Sequence, residues 1–176
     1  MVKLLLGRED VDPNRPDRNG RTPLGSAAAK GHKGVVKLFL GRDNVNSDRP
    51  GKDGYGPLGL AAVHGHEGVV KLMLEREDVD PNRPNENDRT PLGSAAANGH
   101  EGVVKLLLER EIVDPNRPNA NGRTPLGLAA MEGHEGVIKL LLEQDNVDPN
   151  RPDKDGYGPL GLAAFYGHEG AVKLLL

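Results

Sequence analysis

The sequence predicts an all-α repeat solenoid, and three observations carry that reading. The dipeptide Gly-His recurs at 31–32, 65–66, 99–100, 133–134 and 167–168, always 34 residues apart. The tripeptide Pro-Leu-Gly keeps the same step, starting at 23, 57, 91, 125 and 159. Between these markers every unit runs in one order: a polar Pro-rich turn, a short run of small apolar residues, Gly-His, and a longer apolar run. A fixed period of this size describes one small unit copied and stacked, each copy touching only its neighbours, so the product is a long surface rather than a closed pocket.

Cutting after Leu6 leaves five blocks, 7–40, 41–74, 75–108, 109–142 and 143–176, in a single array over 1–176, with 1–6 read as the helix tail of a preceding repeat. Each block opens on a stretch such as Asp12-Pro13-Asn14-Arg15-Pro16-Asp17-Arg18-Asn19-Gly20, whose Pro and Gly favour turns and exclude a long helix. Thr22-Pro23-Leu24 follows, with Thr as N-cap and Pro at the first helical position, then Ala27-Ala28-Ala29 and a stop at Gly31. That is a helix of about two turns. The second helix runs through Val35-Val36-Lys37-Leu38-Phe39-Leu40, apolar enough to be covered on most sides. In four repeats it carries Glu with Lys four residues later (Glu67 and Lys71, Glu101 and Lys105, Glu135 and Lys139, Glu169 and Lys173), which predicts an ion pair along the helix.

The pattern Asn-Gly-Arg-Thr-Pro-Leu-Gly-x-Ala-Ala-x-x-Gly-His-Glu-Gly-Val-Val-Lys-Leu-Leu-Leu resembles the ankyrin repeat over the whole chain. Its Asp-Val-Asp-Pro-Asn turn is similar to that of the long arrays of filamentous fungi. The resemblance implies stacked helix-turn-helix units with projecting hairpin-like turns, the tips and first helices lining a concave binding groove. Two departures stand out. Gly25, Gly59, Gly93, Gly127 and Gly161 replace the family's His after Pro-Leu, removing a side chain that would brace the turn. Repeats two and five read Tyr-Gly-Pro-Leu, exchanging the Thr cap for Gly56 and Gly158 at about a few tenths of a kcal/mol.

Composition and motifs narrow the function classes. There is no Cys, so disulfides and thiolate metal sites are excluded. A net charge of −3 with both signs interspersed lacks a nucleic-acid footprint, and the apolar opening of 1–6 falls far short of a membrane span. The expectation is a soluble cytoplasmic protein, with the nucleus as the other compartment, that binds neither nucleic acid, nor membrane, nor a small-molecule substrate. Gly54-Tyr55-Gly56-Pro57-Leu58-Gly59 spells a phosphate-cradling Gly-x-Gly-x-x-Gly, but its flank is a Pro-rich turn and not a buried strand. Asp10-Val11-Asp12-Pro13-Asn14 begins like a calcium loop, yet Arg15 stands where Gly is required. The five recurrent His residues suit a hydrogen bond to a neighbouring turn better than a metal, since repeats stack about 8–10 Å apart and zinc needs imidazoles at about 2 Å. His64 and His66 lack a third ligand at fixed spacing. No Ser sits in a nucleophile elbow, so the reading is non-enzymatic, with no cofactor and no metal.

Arg15, Arg49, Arg83, Arg117 and Arg151 form a row that suits a polyanion or, since each follows Asp12, Asn46, Asp80, Asp114 or Asp148 by three residues, an inter-turn polar ladder; the ladder is favoured. Residues repeated in every unit maintain stacking, whereas those that differ individualise a surface. The differing positions cluster at the tip and at the end of the first helix. By resemblance to ankyrin arrays these face the groove, giving the partner-binding set Arg21, Lys30, Tyr55, His64, Arg89, Asn98, Arg123, Met131, Glu132, Tyr157, Phe165 and Tyr166. The function expected is recognition of a protein or peptide in the groove, in a fragment of a longer scaffold or sensor. The alternative is a self-assembling solenoid, joined end to end through apolar ends such as Leu174-Leu175-Leu176 or laterally along Gly34, Gly68, Gly102, Gly136 and Gly170.

Overall fold

The computed structural model describes residues 11–176, so the tail proposed at 1–6 lies outside the described residues. Ten helices follow in order: α1 Pro23–Ala29, α2 Lys33–Leu40, α3 Pro57–Val63, α4 Glu67–Leu74, α5 Pro91–Ala97, α6 Glu101–Leu108, α7 Pro125–Glu132, α8 Glu135–Leu142, α9 Pro159–Phe165 and α10 Glu169–Leu175. No strand occurs among the described residues. Odd-numbered helices stack on one another in one layer and even-numbered helices in a second. The odd layer packs more tightly, its buried faces carrying the small residues Ala27, Ala28 and their counterparts.

Each first helix begins and ends as its residues dictate. The hydroxyls of Thr22, Thr90 and Thr124 accept the N–H of Gly25, Gly93 and Gly127, all at 3.1 Å, while Gly56 and Gly158 supply no side-chain cap. At the other end the His32 N–H donates to Ala27 O (3.0 Å) and Gly31 N–H to Ala28 O (3.1 Å), the paired bonds of a Schellman stop. That stop needs a left-handed residue, and Gly31 has φ +68°. The same bonds recur at His66, His100, His134 and His168.

The core is a row of equivalent layers rather than one centre. Leu24, Leu58, Leu92 and Leu126 are sealed from solvent between the helix layers, as are Val36, Val70, Val104 and Ile138. Each such Leu contributes about 1.5–3 kcal/mol by burial. Val45, Val79 and Val113 anchor the turns beneath the second helices.

Between layers the polar bonding is also periodic. At successive tips the N–H of Lys52, Glu86, Ala120 and Lys154 donates to the carbonyl of Asn19, Asp53, Asn87 and Asn121, at 2.8 to 3.4 Å. Deeper in the turns, Asn14, Asn82 and Asn116 donate Nδ2 to the carbonyls of Asn44, Ile112 and Asn146, while their Oδ1 atoms accept the N–H of Asn46, Asp114 and Asp148. The inter-turn ladder expected from the Arg-Pro row is present, but its partners differ from those the spacing suggested. Arg49, Arg117 and Arg151 reach back to the carbonyls of Asn14, Asn82 and Asn116, and Arg83 to the Asp48 carboxylate. The Asp three residues earlier is occupied within its own turn, as where Asp114 accepts Asn116 N–H.

A second correction concerns the helix ion pairs. Only Glu169 and Lys173 approach, at 4.0 Å. Glu67, Glu101 and Glu135 instead lay their carboxylates over Gly102, Gly136 and Gly170 of the next repeat, in the space a Cβ would occupy. The first turn of a helix attracts an anion more strongly than a solvated lysine does, since its N–H groups lack intrahelical partners. The Gly row proposed as a lateral seam is therefore filled from within the array at these positions, and Lys33 covers Gly68 in the same way.

Candidate functional site

The recurrent histidines come first, because they fix the spacing of the surface. His66, His100, His134 and His168 place Nε2 at 3.1, 3.0, 3.2 and 2.9 Å from the carbonyls of Ala29, Val63, Ala97 and Met131. A carbonyl only accepts, so Nε2 carries the proton and donates. The ring also lies over the preceding repeat's Gly31, Gly65, Gly99 or Gly133, where an added Cβ would stand about 2.6 Å from Nδ1. The Gly and the His of the dipeptide thus serve different interfaces: Gly receives the next ring, and His donates to the repeat before. No three His, Asp or Glu side chains converge into a metal site among the described residues.

That rung holds the ends of the first helices in a row. Lys30, His64, Asn98 and Tyr166 are the C-cap residues of α1, α3, α5 and α9, and Glu132 ends α7; all are exposed. A second row, Arg21, Tyr55, Arg89, Arg123 and Tyr157, begins two residues before each Pro and runs along the first helix toward that end. At three positions the glycines that replace the family's His give it room. Tyr55 Cδ1 would meet a Cβ on Gly59 at 2.9 Å, Arg89 Cγ one on Gly93 at 3.3 Å, and Tyr157 Cδ1 one on Gly161 at 3.4 Å. The sequence suggests a lost brace; Gly59, Gly93 and Gly161 are seats for the neighbouring side chain, while Gly25 has no atom of Arg21 over it.

The two rows meet along one face. Arg123 Nη1 lies 3.1 Å from Met131 Sδ at the far end of α7. The Tyr157 and Phe165 rings lie 5.7 Å apart between centroids, and Phe165 meets Tyr166 edge-on at 5.1 Å. Ser94 Oγ stands 3.5 Å from Tyr55 OH, and Asn98 Nδ2 donates to Ser94 O. All twelve predicted residues therefore lie on tips or first helices.

Their electrostatics differ from one repeat to the next. Arg21 pairs with Asp53 at 2.6 Å and Arg123 with Asp153 at 3.0 Å. Both aspartates were missed as partners, because they lie 32 and 30 residues downstream and look like ordinary tip residues. Arg89 has neutral Asn119 and Asn121 at those offsets and forms no ion pair; its buried Nε, like that of Arg21, has no acceptor. At His64, burial and then the charges of His66, Arg21, Lys30 and His100 push the imidazole below its ordinary pKa.

The opposite side carries a different arrangement. Arg76 and Arg110 donate to the carbonyls of Leu40 and Leu74, capping the preceding second helix. A cleft of about 630 Å³ opens beside them, with Glu75, Glu77, Glu109 and Glu111 among its lining and Ile112 at its rim. No residue singled out from the sequence lines it.

Helix pairs, left-handed Gly stops and inter-repeat His rungs recur at one period, and the family model described as ankyrin repeats in three copies matches residues 1–85, 41–119, 71–153 and 111–176. The chain belongs to the ankyrin-repeat family. No curated protein matches it. Ankyrin repeats generally act as protein–protein interaction modules and are generally non-enzymatic. No helix among the described residues is long and apolar enough to cross a membrane.

Proposed function

We propose that this ankyrin array binds a segment of another protein along its concave face, by contact rather than by catalysis. One observation carries the reading: the histidines and arginines kept in every repeat are spent on stacking bonds, while the tips and the ends of the first helices carry Arg, Tyr, Phe and other side chains that change from repeat to repeat. His100 and Arg117 exemplify the first kind, Tyr55 and Arg89 the second. Arg and aromatic side chains of the second row are the types that most often anchor protein interfaces.

Site-specific photo-crosslinking tests this. A photoreactive residue at Asn98, on the concave side, should capture a cellular protein, whereas one at Lys71 on the second-helix layer should not. Capture from Lys71 alone, or equal capture of the same protein from both, contradicts the groove.

A further inference from the structure

The groove is not electrically uniform. In its first three repeats the side chains on the helix ends and the second row are Arg21, Lys30, Tyr55, His64, Arg89 and Asn98, with no carboxylate among them. Arg21 has its charge met by Asp53. Arg89 does not: its tip neighbours at the same offsets are the amides Asn119 and Asn121, and it forms no ion pair, although the buried Nε of both arginines lacks an acceptor. A guanidinium with no carboxylate partner leaves its charge to be met by an incoming one, through the stronger, charge-assisted kind of hydrogen bond. In the fourth repeat the pattern breaks, with Glu132 at the helix end and Asp153 closing on Arg123.

We propose that the concave face of repeats one to three takes a carboxylate-rich segment of a partner protein, seated across Lys30, His64 and Arg89. The inference rests on the groove reading above and adds the chemistry of the ligand. Spacing supports an extended segment. First helices in contact lie about 8–10 Å apart, and an extended chain advances about 3.3 Å per residue, so acidic residues at every third position keep step with successive repeats. His64 adds a response to pH. The charged groups acting on it are His66 on its own repeat, Arg21 and Lys30 from the repeat before and His100 from the repeat after, all cationic or able to become so. They and burial keep it neutral near pH 7. A carboxylate placed against it favours the protonated ring, so binding takes up a proton and tightens as pH falls.

The test uses the full chain and a fluorescein-labelled twelve-residue peptide with Glu at every third position, its Gln counterpart as control, read by anisotropy at low salt. The Glu peptide should bind saturably and the Gln peptide should not. Arg89→Gln should weaken binding roughly tenfold, while Lys71→Gln, the same charge change on the outer layer, should leave it unchanged. Lowering pH from 7.5 to 5.5 should tighten binding to the parent several-fold and have little effect in His64→Asn, which also serves if Arg89→Gln proves unstable in thermal melts. Equal binding of the two peptides, equal effects of Arg89→Gln and Lys71→Gln, or binding of heparin but not peptide overturns the proposal. Crosslinking to a partner from Asn98 with no Glu-peptide binding overturns this inference alone; crosslinking only from Lys71 removes the groove reading beneath it.

Discussion

Asp48 and Asp153 are both buried carboxylates paired with an arginine of a neighbouring repeat, yet their pKa values move in opposite directions. At Asp48 burial dominates and pushes the pKa up, although Arg83 stands 2.6 Å away; the only backbone donor from the next turn, Asp80 N–H, is 3.4 Å distant, and the Asp80 charge opposes ionisation. At Asp153 burial pushes up as well, but the Arg123 bond and the N–H groups of Tyr157 and Asp155, both at 3.0 Å, outweigh it and hold the pKa below the ordinary value. An arginine alone does not make a buried carboxylate comfortable; well-aimed backbone donors do. The neighbours of each position agree. Where Asp48 stands, other repeats have Asn14, Asn82 and Asn116, whose amides donate to a carbonyl that a carboxylate can only repel. Where Asp153 stands, Asn85 and Asn119 accept the same two N–H groups through Oδ1, so the site asks only for an acceptor.

The largest expected effect breaks the comfortable site. Asp153→Ala removes the acceptor of two backbone N–H groups and strands Arg123, and should cost about 3 kcal/mol in urea unfolding; a loss below about 1 kcal/mol would show that the turn re-forms without it. An uncharged rung supplies the reference. His100→Ala leaves the Val63 carbonyl without its donor and opens a void over Gly65, and should cost about 2 kcal/mol. The uncomfortable site should respond in the other direction: Asp48→Asn restores the amide of the turn ladder and should gain about 1 kcal/mol at pH 7, despite losing the Arg83 pair. Asp153→Asn keeps the turn acceptor but turns an amide donor toward Arg123 Nε, losing that bond, and should cost about 1 kcal/mol.

Acid titration sharpens the contrast, and its sign differs between the two. Asp153 has a depressed pKa, so its stabilisation is present above the ordinary aspartate value of 3.8 and is lost as pH falls through the folded value. Asp48 has a raised pKa, so the contribution of its protonated form is present below 3.8 and is lost as pH rises through the folded value. Measured against the parent, Asp48→Asn should be more stable and Asp153→Asn less stable at neutral pH, the Asp48 gap closing as pH falls toward 3.8 and the Asp153 gap only as pH falls below 3.8. A gap that stays constant with pH in either variant would mean that the carboxylate charge is not what distinguishes the sites.

The fold was legible because the period imposes itself on every local signal at once: Thr22 and Pro23 start a helix, Gly31 ends it, and the Val36 run begins the next. The structural role of the histidines could also be read, since a row at repeat spacing leaves no place for a shared metal. Bonding partners across repeats could not. A Glu four residues before a Lys looks like a pair on one helix, and nothing in Glu67 or Lys71 reveals that the helix of the next repeat offers a better partner at Gly102. Arg21 and Arg89 are alike in motif, and only the tip 30 to 32 residues later, with Asp53 in one case and amides in the other, separates a cation with an ion pair from one without. The glycines after Pro-Leu carried a signal in part: the vacancy is a seat beside Tyr55, Arg89 and Tyr157, while Gly25 has no atom of Arg21 over it.

The histidine rung has a direction. Each imidazole points its proton backward along the chain, toward a carbonyl that the earlier unit leaves exposed, and each Gly receives the ring that follows. A unit inserted upside down would bring ring against ring and oxygen against oxygen, whereas one inserted the right way up finds both halves of its joint already waiting. Gene duplication in whole multiples of 34 residues therefore leaves every joint intact, while an insertion of any other length places a mismatched pair at two junctions at once. The array can be lengthened by copying without any new interface having to be invented.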